Sequence, residues 1–318
     1  QGGEDGIIEK IFEILPPPSS PEHNRYCVDV GAWDGLKWSN THSLLSAHGW
    51  SGVLIEADSS RFAELSARHA DNQVKKTQDI VCVNECVSCV ADSPASLAHI
   101  LASRAPALPK DFDFITIDVD GTDYWLLYNL LAESDYRPGI ICIEFNPTMP
   151  NDVIFIQQRS DTIRHGSSLA ALEEFAASQN YVLIETTLFN AFFARRDLFT
   201  AHLQAYVPDT SIEALHDVSM GTTLYQLYDG TLKLHGCKRL LWHRKPLLEE
   251  AIQVLPRTLR SFPFAPTNSP ALSQESLAAF CWYCWWCCWW WSGRGCSANL
   301  SLSLPLDFHP KKVKPNVF

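Results

Sequence analysis

The sequence predicts an α/β domain built on a mainly parallel, seven-stranded sheet, with helices on both faces and an antiparallel pair at one edge. Three observations carry this reading. Short apolar runs alternate with helical-period segments from Tyr26 to Ala194. Several runs, such as Ile140-Ile141-Cys142-Ile143, are apolar at every position rather than every second one, which marks strands buried on both faces. The last two runs, at 181–186 and 191–194, have no helix between them and so pair antiparallel.

The elements follow in order. Ile7, Ile8, Ile11, Phe12 and Leu15 recur at helical spacing, and Pro16-Pro17-Pro18 stops that helix, placing it over 6–15. A strand over 26–30 leads to a helix over 39–48, and a strand over 52–55 to a helix over 59–70 with Ser59 as its N-cap. Strands over 79–83, 112–117 and 139–143 alternate with helices over 94–103, 123–131 and 167–178. Beyond residue 200, strands over 222–228 and 231–234 flank an Asp229-Gly230 hairpin turn, and a helix is expected over 247–255. The run from Cys281 to Trp291 has neither period, so 265–318 reads as a low-complexity, disordered tail. The expected organisation is a main domain over 1–199, an extension over 200–264 packed on it, and that tail.

Charge narrows the partners. The chain carries 25 Lys and Arg against 36 Asp and Glu, with 15 against 32 in residues 1–236 and 10 against 4 thereafter. An acidic main body argues against nucleic acid, which needs clustered cations. The 11 cysteines do not form a secreted framework: Cys27, Cys82 and Cys142 sit inside apolar strand runs, where a thiol acts as a small hydrophobe. No signal peptide and no bilayer-length apolar run is legible, so no transmembrane segment is expected and a cytoplasmic setting is the default. The chain opens on Gln1 rather than Met, so a missing upstream segment is expected. Oligomeric state is not legible in the chain.

The strongest motif is Val28-Asp29-Val30-Gly31-Ala32-Trp33-Asp34-Gly35 at the end of the first strand. Gly31 and Gly35 allow a tight turn and close backbone approach to a ligand. The spacing differs from the G-x-G-x-x-G that receives a pyrophosphate, and the acid at position 29 suits a cationic ammonium group instead. Glu56 ends the second strand, where a carboxylate accepts both hydroxyls of an adenosine ribose. Asn84, at the end of the third, would lie beside the adenine. Asp118 and Asp120 follow the fourth strand and Glu144 and Asn146 the fifth, all on the rim where ligands bind in such sheets. Asp123 is read as a cap for the next helix. The Asp118, Asp120, Glu144 and Asn146 oxygens could together hold Mg²⁺, but nothing in the sequence fixes their geometry and no metal is assigned.

The stretches Gln1-Gly2-Gly3-Glu4-Asp5-Gly6, Gly31-Ala32-Trp33-Asp34-Gly35 leading to Ser39-Asn40-Thr41, Gly49-Trp50-Ser51-Gly52-Val53-Leu54-Ile55-Glu56 and Ile117-Asp118-Val119-Asp120-Gly121 resemble those of FkbM-type methyltransferases, over roughly residues 1–196. The resemblance implies a Rossmann-like class I methyltransferase fold and S-adenosylmethionine as cofactor, with transfer to an oxygen of a small-molecule, sugar or lipid acceptor. It puts the donor on Asp29, Gly31, Glu56 and Asp118, with Asp34, Gly35 and Asn84 around it. The chain departs from the family at Asp120-Gly121-Thr122-Asp123, where many members carry Glu-Gly-Ala-Glu, and this leaves the acceptor open. An alcohol acceptor needs a base, and Asp120, Glu144 and His165 are the candidates, with Asn146 and Asn190 facing the acceptor.

Rival readings are weaker. Cys82-x-x-x-Cys86-x-x-Cys89 has the spacing of a radical iron–sulfur motif, but Cys82 sits inside a strand. Cys281-x-x-Cys284-x-x-Cys287 is crowded by tryptophan. A nicotinamide enzyme lacks its glycine fingerprint here. The alternative from another class is a methyltransferase-like module that has lost catalysis and holds a ligand or partner.

Overall fold

A computed structural model describes residues 2–15, 25–75, 78–240 and 245–262. The expected tail over 265–318 lies outside the described residues, as does the Cys281–Trp291 run within it. The chain divides into two compact units, one of Gln1–Tyr225 with Lys233–Ile252 and one of Gln226–Leu232 with Gln253–Phe318.

The first unit holds the sheet. Its strands are β1 (Tyr26–Val30), β2 (Ser51–Glu56), β3 (Ile80–Asn84), β4 (Phe114–Ile117), β5 (Ile140–Glu144), β6 (Tyr181–Thr186) and β7 (Asn190–Arg195). They lie in the order β3-β2-β1-β4-β5-β7-β6, parallel except that β7 runs antiparallel between β5 and β6. The sequence reversal at β1/β4 is the switch point where ligands bind in open α/β sheets. This is the class I, Rossmann-like methyltransferase arrangement that the sequence predicts.

Alternation along each strand divides the core. Val28, Val30, Val53, Ile55, Ile115, Ile117, Ile141 and Ile143 face one cluster, built with α4 (Leu97–Arg104), α5 (Asp123–Ala132) and α6 (Leu169–Ser178). Cys27, Leu54, Phe114, Ile140, Cys142 and Phe192 face the other. That second face is covered by α1 (Glu4–Ile14), α2 (His42–Ser46), α3 (Ser59–Lys75) and α7 (Ala201–Tyr206). A short α8 (Ile212–Leu215) follows, and β8 (Thr222–Gln226) pairs with β9 (Leu232–Gly236) in a separate sheet. Around the Asp229-Gly230 turn, Leu227 N donates to Thr231 O and Gly230 N to Leu227 O, as a hairpin requires.

Several boundaries differ from the sequence expectation, each for a non-local reason. The helix expected over 39–48 shrinks to α2 because Ser39 and Thr41 turn inward to donate to Asp29. Asp58, not Ser59, caps α3: its Oδ1 accepts from the backbone of Ser60 and Arg61. The helix expected over 94–103 is α4, which starts at Leu97 after a Ser96–Ser93 turn. No helix forms over 247–255: Leu247 N donates to Lys238 O, and the Glu249 carboxylate accepts from Lys233 Nζ and Leu234 N, which holds the segment open.

The cap of α6 is a buried junction. Ser168 is fully buried, and its hydroxyl accepts from Ala171 N in the helix and from Phe155 N in the preceding loop. Ser168→Ala leaves both donors without a partner and is expected to cost about 1–3 kcal/mol. Urea denaturation measures this, and an unchanged midpoint would show that the hydroxyl does not hold the junction.

Candidate functional site

The residues singled out at strand ends gather on one rim and largely on one face. Asp29, Glu56, Glu144 and Asn190 share the strand parity of Cys27, Leu54, Cys142 and Phe192, so they leave the sheet on the face covered by α1, α2 and α3. The β1–β4 and β1–β2 registers then set the loop 30–35 beside the turn after β4.

Gly31 has φ 95 and donates, with Ala32, to Ile55 O, so the chain leaves β1 folded across the end of β2. Gly35 N donates to Ala32 O and closes the loop. Trp33 carries a positive φ of 50, a costly conformation for a bulky side chain. It is held there because its N–H donates to Glu56 Oε2 at 2.8 Å. Glu56 Oε1 accepts from Asp58 N, so this buried carboxylate ties the loop to the start of α3; burial pushes its pKa up. Asp34 spends its Oδ1 on Leu36 N and Lys37 N within its own loop, and although burial pushes its pKa up, these bonds outweigh it and hold the pKa down. Asn84 stands opposite Glu56 in the ladder, with its amide on Glu56 O and Ala57 O.

Asp29 is 3% exposed, and its Oδ2 accepts from Ser39 Oγ at 3.0 Å and Thr41 Oγ1 at 2.7 Å. Burial raises its pKa to about 6 in spite of those two bonds. Asn40, between the two donors, is on the same face and donates to Oγ1 of Thr116, the ladder partner of Asp29.

Beyond β4 the acids crowd together. Asp118, Asp120 and Glu144 each present an oxygen within 4.8 Å of the other two, and the Asp120 backbone N–H donates to Glu144. Asp118 is pushed up to about 8 by burial and by the neighbouring Asp123, Asp120, Asp29 and Glu4 charges. Glu144 is raised well above the carboxylate range by burial and by the Asp118, Asp123 and Asp120 charges, and the Asp120 carboxyl is raised by desolvation although the residue as a whole is exposed. Asp123 does not act as the expected helix cap. Its oxygens accept from Val119 N and Gly121 N, so it braces the turn that presents Asp118 and Asp120. Asp120 itself has φ 59.

His165 reaches the rim through its backbone. Its loop packs on the same turn, since a Cβ on Gly121 would lie 2.7 Å from Arg164 Cα. Its N–H donates to Gln157 Oε1 and its carbonyl accepts from Asn146 Nδ2, while the residue is exposed. Asn146 is thereby committed to its own turn, its Oδ1 accepting from Thr148. Asn190 is fully buried opposite Glu144 in the β5–β7 ladder.

Glu4 was not identified from the sequence. It is 1% exposed, and its carboxylate accepts from Gly2 N, Thr187 Oγ1 and Asn190 Nδ2. Burial raises its pKa, but hydrogen bonds from its own backbone, Gly2 and Thr187 outweigh that and hold it low. The Gln1–Gly6 stretch was the available signal; what it lacked was the docking of α1 onto residues more than 180 positions away. Cys82, Cys86 and Cys89 do not converge: among the described residues, the acid trio is the group of His, Cys, Asp and Glu placed to hold a metal.

No family model matches the chain, and no curated protein matches it. Among solved structures it is similar to M. capricolum TrmK in complex with S-adenosyl-homocysteine, at 9% identity and TM-score 0.33, covering 58% of this chain and 67% of that one. It is also similar to magnesium protoporphyrin IX methyltransferase from Synechocystis with bound SAM, at 10% identity and TM-score 0.35, over 60% and 78% of the two chains. A third is the human methyltransferase 10 domain containing protein, at 13% identity and TM-score 0.38, over 61% and 81%. The chain thus spans about two thirds of the length of the first of these.

Proposed function

We propose that this chain is an S-adenosylmethionine-dependent methyltransferase that methylates an oxygen of a small-molecule, sugar or lipid acceptor. One observation carries the reading. Asp29, Glu56, Asp118 and Glu144 stand at the ends of four adjacent strands around the Gly31–Gly35 loop, at the switch point of the sheet. The loop is followed not by a helix N-terminus but by the Ser39-Asn40-Thr41 turn, with α2 starting at His42. A pyrophosphate has no helix end to rest on there, whereas an ammonium group finds a buried carboxylate.

In this reading Asp29 takes the donor's ammonium group through Oδ1, since Ser39 and Thr41 occupy Oδ2. Gly31 brings its backbone against the donor, Glu56 accepts the ribose hydroxyls, Asn84 lies beside the adenine, and Asp34 and Gly35 shape the loop. Asp118 closes the methionine end. The transfer is an in-line displacement: the acceptor oxygen bonds the methyl carbon, the carbon–sulfur bond breaks, and S-adenosylhomocysteine leaves. The acceptor's proton passes to a nearby carboxylate, Asp120 or Glu144, with His165 as the further candidate base. Asn146 and Asn190 border the acceptor side. Resemblance to solved methyltransferases crystallised with SAH or SAM is consistent with this donor.

Calorimetric titration of the full chain with S-adenosylmethionine tests the reading. Micromolar binding is expected, weakened in Asp29→Ala and Glu56→Ala by more than about 1.4 kcal/mol, or tenfold. No binding by a folded wild-type chain would overturn the methyltransferase reading and leave a partner-binding module as the better account.

A further inference from the structure

The acid trio is surrounded by further acids. Asp118 faces the charges of Asp123, Asp120, Asp29 and Glu4, and Glu144 faces Asp118, Asp123 and Asp120. Arg164 acts on Asp120, with its Nη1 turned to Val119 O. A second, independent feature points into the same place. Asn190 is fully buried on the face shared with Glu144, its ladder partner, and its Nδ2 is fixed on Glu4 Oε1. Its Oδ1 accepts no hydrogen bond. A buried carbonyl oxygen without a donor is costly, and the ladder sets this one beside the Glu144 side chain, which a bound cation would hold ionised and unable to donate.

Separation permits a shared cation. Oxygens bound to one hard divalent ion at 2.0–2.4 Å lie no more than about 4.8 Å apart, and the three carboxylates each offer an atom within that limit. The set is three carboxyl oxygens, and Asp120 is exposed, which leaves coordination positions for water or a substrate hydroxyl. That is the pattern of Mg²⁺ or Mn²⁺ rather than of zinc, which prefers nitrogen and sulfur.

We propose that Asp118, Asp120 and Glu144 bind one hard divalent cation, Mg²⁺ or Mn²⁺, with Asn190 Oδ1 accepting from a water molecule on the ion. Binding of the ion stands apart from the methyl-transfer reading; its use rests on that reading, since an acceptor hydroxyl on the ion loses its proton more readily.

The test is titration of the chelator-treated full chain with Mn²⁺ alone, following loss of the free-ion signal by electron paramagnetic resonance. One ion per chain is expected, displaced by excess Mg²⁺. Asp118→Asn and Glu144→Gln are each expected to weaken binding at least tenfold, and Asn190→Ala to weaken it by less. Glu133→Gln, at the exposed Arg159 ion pair, leaves it unchanged. Circular dichroism checks that each variant is folded; should Glu144→Gln fail to fold, Asp120→Asn, at the exposed ligand, takes its place with the same tenfold expectation. A folded wild-type chain that takes up no Mn²⁺ at millimolar concentration, or folded variants that bind as the wild type does, overturns the proposal. Donor binding measured without metal reads the methyl-transfer site separately, so the two can fail independently.

Discussion

Gly31→Ala is expected to lower stability by about 3 kcal/mol or more and to abolish donor binding with it. The backbone at Gly31 has φ 95, beyond the left-handed region that an alanine tolerates at modest cost. The added Cβ would also press into the Asp118 carbonyl oxygen, with the Asp118 carbonyl carbon 3.0 Å away. Those contacts are backbone, not a flexible side chain that could swing aside. The carbonyl belongs to the residue whose N–H donates to Val30 O at 3.0 Å, so yielding there separates the ends of β1 and β4. Both halves of the proposed site hang on that junction, because the loop 31–35 leaves one strand and the acid trio follows the other. Urea denaturation measures the loss, with Gly6→Ala as the control. Gly6 lies in α1 with nothing within 4 Å of an added Cβ, so alanine there is expected to stabilise by up to about 1 kcal/mol. A Gly31→Ala chain with a wild-type midpoint would mean that the two strand ends are not packed as described.

The sheet was legible because its physics is local and repetitive. Ile140-Ile141-Cys142-Ile143 is apolar throughout because β5 is central and covered on both faces, Ile141 and Ile143 on one and Ile140 and Cys142 on the other. The acids at strand ends were legible for a related reason: in a parallel sheet every carboxyl end opens on the same rim. What escaped depends on contacts between distant residues. Ser39 and Thr41 read as the start of a helix until Asp29, ten or more positions earlier, claims both hydroxyls. Glu249 reads as a helical residue until Lys233 and Leu234 take its carboxylate. Glu4 reads as an ordinary acid at the start of an amphipathic helix, and only the docking of α1 places it against Thr187 and Asn190. Asp123 lies between these cases. It is the first residue of α5 rather than its cap, a carboxylate there can serve the helix or the turn behind it, and the N–H groups of Val119 and Gly121 decide the matter.

Asp29 should make the folded chain less stable as pH rises, the reverse of a salt-bridged aspartate. Burial lifts its pKa to about 6, against an ordinary value near 3.9. Between those values the folded chain holds a proton that the unfolded chain has released. The associated stability is therefore complete below about pH 4 and lost as pH rises through 6. Two units at 1.36 kcal/mol each make the loss roughly 3 kcal/mol. Asp123, also near 6 through burial, and Asp118, near 8, slope the same way, so the wild-type curve alone does not isolate Asp29. The difference between wild type and Asp29→Asn does. The asparagine still accepts from Ser39 and Thr41 but cannot ionise, so its stability relative to wild type should rise by roughly 3 kcal/mol between pH 4 and pH 7.5. Parallel curves for the two proteins would show that Asp29 ionises like a solvated aspartate. The same linkage gives the donor site a signature that a structural carboxylate lacks. An ammonium group favours the ionised form, so donor binding near pH 5.5 should release a fraction of a proton, read as a dependence of the binding heat on buffer ionisation enthalpy. Affinity should rise as pH goes from 5 to 7, and in Asp29→Asn both effects should shrink, what remains coming from Asp118 and Glu56. Donor binding that is tight yet takes up or releases no proton at pH 5.5 would place the ammonium group elsewhere on the rim, and Asp29 would then be a residue that shapes the loop rather than one that holds the ligand.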